Sequence, residues 1–456
     1  MEGNFAFNDL DLSPLFRQMR HEYVIDNSYF DNQNIKRGLR NSDGTAVLVG
    51  VTKIGSVQGS VTSDGERIPI PGELYYRGLS IQDILQAHVA ENRFGYEEVS
   101  YLLLTGTLPN ASELDLFKTA IAKARPLPRG FFEDTLMRSP SADIMNALQR
   151  GVLALYSYDS NPDDTSLENM LRQSVELIAR VPTIVANAYM VKRHVFGGKS
   201  LYIHNPKEGL CLAENFLRLA RSTKSYTDDE AKLLDLMLVL HAEHGGGNNS
   251  AFTCRVLSSS GTDTYSAIAG AIGSLKGPLH GGANMKVMNM FEDIKAHISD
   301  VDDDDALRAY LNKLLDGEAG DRSGKIYGLG HAVYTISDPR AELLRGYASE
   351  MAERKGRFDD FRLLEKIERL GVELLMERKH LSIPICANVD LYSGLVYSML
   401  GIPQELFTPL FACARIAGWC AHRIEEVLTG NRLIRPGYRA AIRPRVYTPM
   451  SERTEV

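Results

Sequence analysis

The chain has 456 residues, more than one typical hydrophobic core needs, so its length favours two domains or a large domain with a smaller lobe. Its 44% hydrophobic and 24% charged residues, with no apolar run as long as a membrane span, exclude a disordered protein and a membrane protein. The formal net charge of -7 gives no general attraction for nucleic acid, so an anionic substrate needs a local cluster of Arg and Lys.

The start of the chain and its cysteines bear on the compartment. The first residues, MEGNFAFNDLDL, are acidic and lack the basic segment and apolar core of a signal peptide, so we expect a cytoplasmic protein. No C-x-x-C pair occurs, which argues against a disulfide framework or a cysteine zinc site. We therefore expect five core thiols, at Cys211, Cys254, Cys386, Cys413 and Cys420.

The N-terminal part of the chain combines a helical arm with a β-hairpin signal. The periodicity of LSPLFRQMRHEYVIDNSYF, residues 12–30, predicts an amphipathic arm. Short Val and Ile runs over residues 46–71, with turn signals at Ser63, Asp64 and Gly65, predict a β-hairpin. Helical patterns dominate after it, so we predict a mainly α chain, with a helix inside residues 94–110 that ends before Leu108-Pro109 and further helices at residues 112–124, 142–156 and 166–193.

Two histidines lie at the end of one predicted helix. A capping box of Thr227 with Glu230 and an acidic first turn predict a helix start, and the helix ends with His241 and His244, where glycines 245–247 stop it. A histidine beside flexible glycines suits the rim of a site for a small anionic ligand. An incidental histidine at a helix C-cap explains the same pattern.

A third histidine follows the next predicted helix. Residues 263–274 are rich in Ala, Gly and Ser, so another backbone can approach this helix closely. Gly277 and Pro278 end it and place His280 in a loop whose two following glycines leave the imidazole uncrowded. This is the second helix end in the region that carries a histidine.

The polarity of the chain rises after residue 284. Several charged amphipathic helices are predicted between residues 285 and 380, and apolar character returns at Ile383. We therefore predict a small helical domain over residues 285–400. It is inserted into a larger helical domain made of residues 1–284 and 401–456, with both crossing points next to the site.

The string KIYGLGHAVYTISDPRAELL combines a histidine loop with a helix start. His331 lies in the glycine-rich part, Asp338 is a predicted N-cap, Pro339 is the first helical residue and Arg340 follows. The free N–H groups of the helix start and the fork of the guanidinium suit a carboxylate. A common Asp-Pro-Arg helix start with an exposed Arg is the alternative.

Two more charged residues lie in apolar surroundings. Asp390, among Ile, Val, Leu and Tyr, is expected to resist ionisation and so to be more basic than a surface aspartate, unless it only caps the helix that starts near Tyr392. Arg415 lies mid-helix among Ala, Cys and Ile, where an Arg is seldom found without an anionic partner. A structural salt bridge, or a side chain that reaches out to water, is the alternative for Arg415.

Five strings taken in order, LHAEHGGGNNS, GPLHGGAN, GLGHAVY with DPRA, NVDLYSG and RLIRP, resemble the citrate synthase family, and the resemblance covers about residues 46 to 450. It implies a mostly α-helical, two-domain homodimer that condenses acetyl-CoA with oxaloacetate and hydrolyses citryl-CoA, in the tricarboxylic acid cycle. The coenzyme A thioester is a co-substrate, and no metal or redox cofactor is implied. One departure is Ala332, where many members carry Arg.

The resemblance also implies a role for each site residue. Asp390 removes a methyl proton from the thioester, neutral His280 donates a hydrogen bond to the enolate oxygen, and His331 polarises and then protonates the oxaloacetate carbonyl. The two substrate carboxylates are held by His244, Arg340, Arg415 and, from the partner subunit, Arg435.

Two assignments rest on less specific matches. Lys325 and Gly330 are expected to contact coenzyme A. For the residue that reaches the partner's site, Arg443 is the alternative to Arg435, which is preferred because its spacing from Trp419 needs no insertion.

Other functions stay open on the sequence. The nearest is 2-methylcitrate synthase, which uses propionyl-CoA, because one extra methylene is discriminated only weakly. A metal-dependent hydrolase built from His241, His244, His280 and an aspartate is a different class of enzyme. A helical scaffold without catalysis is disfavoured because all three catalytic positions carry suitable residue types.

Overall fold

A computed structural model describes residues 11, 13–31, 35–41, 44–63, 66–381, 383–430 and 432–453. The chain divides into two compact units. One is formed by Met1–Val51 together with Arg435–Val456, and the other is Thr52–Ile434. The predicted small domain over residues 285–400 stays a prediction.

Residues 13–31 form two separate α-helices in the region predicted to be an amphipathic arm. Helix α1 is Ser13–Glu22 and helix α2 is Ser28–Asp31. The periodicity of residues 12–30 predicts a single element, but Asp26 accepts a hydrogen bond from the Ser28 amide at 2.8 Å. An aspartate that accepts from the amide two residues later favours a turn over a continued helix.

The larger unit is mainly helical, as predicted. Among its described residues, no helix is long and apolar enough to cross a membrane. Its helices are α3 (Ile81–Ala90), α4 (Tyr96–Thr105), α5 (Ala111–Ala124), α6 (Ile144–Leu155), α7 (Leu167–Val195), α8 (Leu212–Ala220), α9 (Asp228–His241), α10 (Asn249–Ser259), α11 (Thr264–Lys276), α12 (Ala283–His297), α13 (Asp304–Leu315), α14 (Pro339–Arg354), α15 (Phe358–Lys379), α16 (Asp390–Met399) and α17 (Phe407–Thr429).

The predicted β-hairpin is present, with shifted limits. Strand β1 (Gly55–Ser63) pairs antiparallel with β2 (Glu66–Tyr76), and the short β3 (Leu79–Ser80) pairs with β2. The predicted turn residues Asp64 and Gly65 lie outside the described residues. Strand β1 begins at Gly55, nine residues after the start of the predicted region. The backbone before it is engaged elsewhere, because Glu425 on α17 accepts hydrogen bonds from Thr52 Oγ1 at 2.6 Å and from the Lys53 amide at 2.8 Å.

The sequence signals for the start of α9 and the end of α11 are confirmed. Thr227 and Glu230 form a reciprocal capping box, with both hydrogen bonds at 3.2 Å. Helix α9 ends at His241 with Ala242 as its C-cap, so the prediction that the helix extends to His244 and is stopped by glycines 245–247 is wrong. Gly277 is the C-cap of α11. A Cβ added to Gly273 in α11 would lie 2.5 Å from the Gln149 side chain of α6, so the small residues of α11 do permit close packing.

Helix α17 lies at the centre of the core. It packs against α4, α7, α9, α10 and α11, and Trp419 is fully buried. A helix that is buried on all sides belongs to the interior of a large protein, so any charged group on it must find a partner or a ligand there. Four cysteines are buried as predicted, whereas Cys211 is half-buried and caps α8.

Candidate active site

Rings from two distant loops meet beside α9. The centroids of His244 and His331 are 5.2 Å apart in an edge-to-face arrangement, and Tyr334 stacks on His331 at 4.6 Å. The Tyr334 hydroxyl is buried and has no hydrogen-bond partner among the described residues. Tyr334 lies three residues after His331 and was not among the predicted site residues.

The backbone fixes the tautomer of His331. Its Nδ1 atom accepts hydrogen bonds from the amides of Val333 and Tyr334, both at 3.1 Å. A ring nitrogen that accepts carries no proton, so in the neutral ring the proton is on Nε2. Burial, assisted by the charge of Arg340, lowers the pKa of His331 to about 4. His331 is therefore a neutral hydrogen-bond donor at physiological pH.

Arg340 is held at the start of α14 by the residue that caps the helix. Asp338 accepts hydrogen bonds from the Arg340 amide at 3.0 Å, from Nε at 3.0 Å and from Nη2 at 2.7 Å. Arg340 is only 4% exposed, so the alternative of an exposed Arg is wrong. Nη1 makes no hydrogen bond to any described residue and remains available to a ligand.

The same aspartate ties α14 to α16. Asp338 Oδ2 also accepts from the Val389 amide at 3.3 Å, which places the first residue of α16, Asp390, beside the start of α14. Asp390 does not cap its helix, because Val389 holds the N-cap position and no side-chain cap forms. The capping alternative for Asp390 is therefore wrong.

Asp390 has the electrostatic character expected of a base. Burial raises its pKa to about 6, although the nearby charges of Arg340 and Arg415 act in the opposite direction. No hydrogen bond or ion pair to its carboxylate forms within the described part of the chain. A carboxylate with a raised pKa and free oxygens can accept a proton from a weak acid.

Arg415 is buried with most of its donors unused. The side chain is 1% exposed, Nε donates to the His241 carbonyl at 2.6 Å, and the guanidinium lies over the Phe411 ring at 4.6 Å. Among the described residues, Nη1 and Nη2 have no hydrogen-bond partner, and no carboxylate lies within ion-pair distance. Both alternatives for Arg415, a structural salt bridge and a side chain in water, are therefore wrong. A carboxylate ligand would satisfy the two free donors.

The His280 ring is held by Ser250 of α10, which is itself held by Trp419 of α17. Its Nε2 atom lies 3.0 Å from Ser250 Oγ, to which Trp419 Nε1 donates at 3.1 Å. The hydroxyl hydrogen of Ser250 can go to His280 or to the side chain of Asn248 at 2.8 Å. When it goes to His280, the proton of the neutral ring is on Nδ1. Burial, with the charge of Arg415, lowers the pKa of His280 to about 4.

The structure thus brings six of the predicted residues into one electrostatic environment. Arg340 and Arg415 both act on the pKa of Asp390 and of His244, Arg340 acts on His331, and Arg415 acts on His280. His244 is buried, and its Nε2 atom has no partner among the described residues. Asp338, Ser250 and Tyr334 complete the arrangement.

Lys325, Gly330 and Arg435 are the other predicted site residues, and Gly330 directly precedes His331 in the chain. Lys325 is exposed, and Gly330, with φ +87°, donates to the Cys386 carbonyl at 2.8 Å. Arg435 is exposed and belongs to the smaller unit, so its part in a site stays a prediction.

The metal-site alternative finds no support in the geometry. Within the described ranges, no three His, Cys, Asp or Glu side chains come together as a metal site would need. His241 is turned away from such a site, because its Nδ1 atom bonds to the Met237 carbonyl at 2.8 Å and its ring packs on Phe411.

The chain is similar to known proteins along most of its length. A family model described as "Citrate synthase, C-terminal domain" matches residues 43–437. The chain is 36% identical to citrate synthase of Deinococcus radiodurans over 403 residues, which cover 88% of this chain and 94% of the relative. It is 34% identical to 2-methylcitrate synthase of Shewanella oneidensis over 382 residues, which cover 83% of this chain and 92% of the relative.

Solved structures show the same fold. One is the ternary complex of carboxymethyl coenzyme A and oxaloacetate with citrate synthase from the archaeon Thermoplasma acidophilum. The TM-score is 0.75 at 28% identity, covering 92% of this chain and 99% of that one. Citrate synthase from Thermotoga maritima gives a TM-score of 0.72 at 31% identity, covering 92% of this chain and 100% of that one. The predicted mainly α fold with a short N-terminal hairpin is confirmed.

Proposed function

This chain belongs to the citrate synthase family and is an acyltransferase, and on that premise we propose that it condenses acetyl-CoA with oxaloacetate and releases citrate and CoA. One observation carries the proposal. Asp390, whose pKa is raised to about 6, shares its environment with Arg415, whose Nη1 and Nη2 atoms have no partner in the part of the chain that the structure describes. A base and an anion site therefore meet at one place, as the reaction requires.

Oxaloacetate binding uses the free donors of the site. Arg415 Nη1 and Nη2 bind one carboxylate in a forked arrangement, and Arg340 Nη1 and His244 bind the other. His331 donates from Nε2 to the ketone oxygen, which polarises the carbonyl carbon. The Asp338 pair holds Arg340 in place, since it fixes both Nε and Nη2.

Two proton transfers accompany formation of the carbon–carbon bond. Asp390 takes a methyl proton from acetyl-CoA, and the electron pair of that C–H bond forms the enolate, whose oxygen accepts a hydrogen bond from His280 Nδ1. The enolate carbon attacks the ketone carbon, and His331 gives its Nε2 proton to the resulting alkoxide. Asp390 then releases the proton that it took, and His331 regains a proton from solvent, so both groups return to their starting states. An enolate-stabilising donor of this kind is worth about 3 to 4 kcal/mol of barrier. Water then cleaves the thioester, and the CoA thiol leaves with one of its protons.

The pKa values predict how the rate depends on pH. The working form of Asp390 is the carboxylate, so the thioester kcat/KM is expected to fall about tenfold for each unit below about pH 6. His280 and His331, with pKa values of about 4, remain neutral donors above pH 5. Initial rates between pH 5 and 8 provide the measurement, and a flat profile down to pH 5 would argue against Asp390 as the base.

The acyl group is the finer part of the proposal. The chain is similar to relatives with both names, and a pocket discriminates one methylene by only about 10- to 200-fold. We propose acetyl-CoA because more of the relatives described here are citrate synthases. The test compares kcat/KM for acetyl-CoA and propionyl-CoA with oxaloacetate. A higher value for propionyl-CoA would assign 2-methylcitrate synthase.

The remaining parts of the proposal rest on the resemblance. Lys325 and Gly330 contact coenzyme A, and no metal or redox cofactor takes part. The enzyme works in the cytoplasm in the tricarboxylic acid cycle. It is a homodimer in which Arg435 reaches the partner's site, and the exposed apolar side chains near it, such as Tyr438 and Val446, fit a segment that packs on a second chain.

Complementation tests the contribution of Arg435. Arg435→Ala and Asp390→Ala homodimers should each be nearly inactive, whereas a mixed dimer has one site with both residues intact. Co-refolding of the two variants should restore roughly a quarter of the wild-type activity if half of the dimers are mixed. If mixed dimers form and no activity returns, Arg435 does not act across the interface and Arg443 becomes the candidate.

A further inference from the structure

Glu243 lies between the two histidines at the end of α9 and has no part in the proposed chemistry. It is fully buried. A Cβ on Gly418 of α17 would clash with its Oε2 atom, and a Cβ on Gly55 of β1 would lie 2.8 Å from its Cγ atom. Both α17 and β1 therefore have a glycine where they pack against the Glu243 side chain. This close packing from two sides defines the position of the carboxylate.

The contacts of Glu243 keep it ionised. His422, also fully buried, lies with Nε2 2.9 Å from Glu243 Oε1, and the Gly245 amide donates to the same oxygen. Arg255 Nη2 lies 2.7 Å from His422 Nδ1, and a guanidinium only donates, so Nδ1 accepts and Nε2 carries the proton. Burial alone would raise the pKa of Glu243, but His422 and Arg415 hold it below its usual range.

Glu243 is near Arg415 without being bound to it. No ion pair joins the two side chains, and Arg415 Nε is already engaged by the His241 carbonyl. Glu243 Oε2 faces Gly418, three residues after Arg415 on α17, and has no hydrogen-bond partner among the described residues. Of the charges around Arg415, that of Glu243 most offsets the cost of its burial.

We propose that Glu243 is a positioning residue for the dicarboxylate substrate, acting as the internal counter-ion of Arg415. It stabilises the buried guanidinium in the empty site and leaves Nη1 and Nη2 free for the ligand. Because its own charge repels the ligand, it also limits how tightly the site holds oxaloacetate and the more highly charged citrate. The inference rests on the proposed function, since it takes Arg415 as a carboxylate ligand.

A counter-ion role differs from a purely structural role in which Glu243 only anchors the loop by hydrogen bonds. If Glu243 only anchored the residues around His244, loss of its charge with retention of its hydrogen bonds would leave affinity unchanged, and loss of the anchor would weaken it. If Glu243 is a counter-ion, loss of its charge should instead increase the affinity for the anionic ligand. Removal of a negative charge from a buried site strengthens the binding of an anion there.

Glu243→Gln separates the two roles, because the amide oxygen still accepts from His422 and Gly245 while the charge is gone. We expect the Kd values of oxaloacetate and citrate, measured by calorimetry, to fall about tenfold. KM for oxaloacetate and kcat should fall together, since product leaves more slowly. Glu426→Gln is the matched control. This substitution removes the negative charge of Glu426, which forms an ion pair with Arg255 at the far end of the same network. It should leave both Kd values unchanged.

Affinity that is unchanged or weaker in Glu243→Gln would overturn the inference. If that variant does not fold, thermal unfolding of Arg415→Gln and of the Arg415→Gln/Glu243→Gln double variant gives a second test without substrate. A counter-ion left unpaired destabilises, so the double variant should melt at the higher temperature. An equal or lower melting temperature would contradict the pairing. Wild-type protein that does not bind oxaloacetate would instead overturn the proposed function.

Discussion

Asp390→Asn is expected to lower kcat by roughly 10² to 10⁴-fold, the range that general acid–base catalysis contributes. The amide has nearly the shape of the carboxylate but cannot take the methyl proton. Since Asp390 makes no hydrogen bond or ion pair with Arg340 or Arg415 in the described part of the chain, oxaloacetate binding should be retained or strengthened. Steady-state rates and calorimetry on the same preparation measure the two quantities.

A matched variant controls for the loss of one negative charge. Asp305→Asn removes an exposed carboxylate of α13 and should leave both kcat and oxaloacetate affinity at wild-type values. If Asp390→Asn keeps more than about a tenth of the wild-type kcat, another group removes the proton. If it folds but loses oxaloacetate affinity, Asp390 belongs to the carboxylate-binding set and its assignment as the base is wrong.

Arg415→Gln should weaken oxaloacetate binding by about 2 to 5 kcal/mol, roughly 30- to 4000-fold in Kd, because a closed site loses a charge-assisted pair. Affinity for the thioester should change little, since the acyl group is handled by Asp390 and His280. Arg415→Lys keeps the charge but not the fork, so its effect should be intermediate. Calorimetry with oxaloacetate gives the Kd of each variant.

Arg423 offers a stringent control for Arg415. It lies on the same helix and is equally buried, and its Nε and Nη1 atoms also have no partner among the residues described. It is two turns further along α17, and its Nη2 atom donates to the Thr262 carbonyl at 2.5 Å. Arg423→Gln should lower stability and leave the oxaloacetate Kd unchanged. Equal losses of affinity in the two variants would mean that the effect is on folding.

Local signals account for what the sequence predicts well. The capping box at Thr227, the C-cap at Gly277 and the Asp-Pro-Arg start of α14 each depend on residues within a few positions, so their pattern is visible in the chain. The placement of Asp390 and Arg415 in apolar runs likewise predicts buried charge. These signals locate most of the helices, whereas the choice among candidate site residues depends on the resemblance to the citrate synthase family.

Pairings between distant residues explain what sequence reasoning missed. Glu243 and His422 are 179 positions apart, and neither carries a signal for the other. Asp338 reads as a helix cap, yet it also binds the Arg340 guanidinium and the Val389 amide, which only packing of α14 against α16 reveals. The late start of β1 has the same origin, because Glu425 competes for the preceding backbone.

CoA-thiol release from acetyl-CoA, measured with and without oxaloacetate for wild-type protein and Asp390→Asn, is the most direct test of the proposed condensation. We expect release only when both substrates are present, and its loss in Asp390→Asn by roughly 10² to 10⁴-fold. Release at the same rate without oxaloacetate would indicate a thioesterase. Absence of release with acetyl-CoA and with propionyl-CoA would contradict the assignment of this site to either condensation.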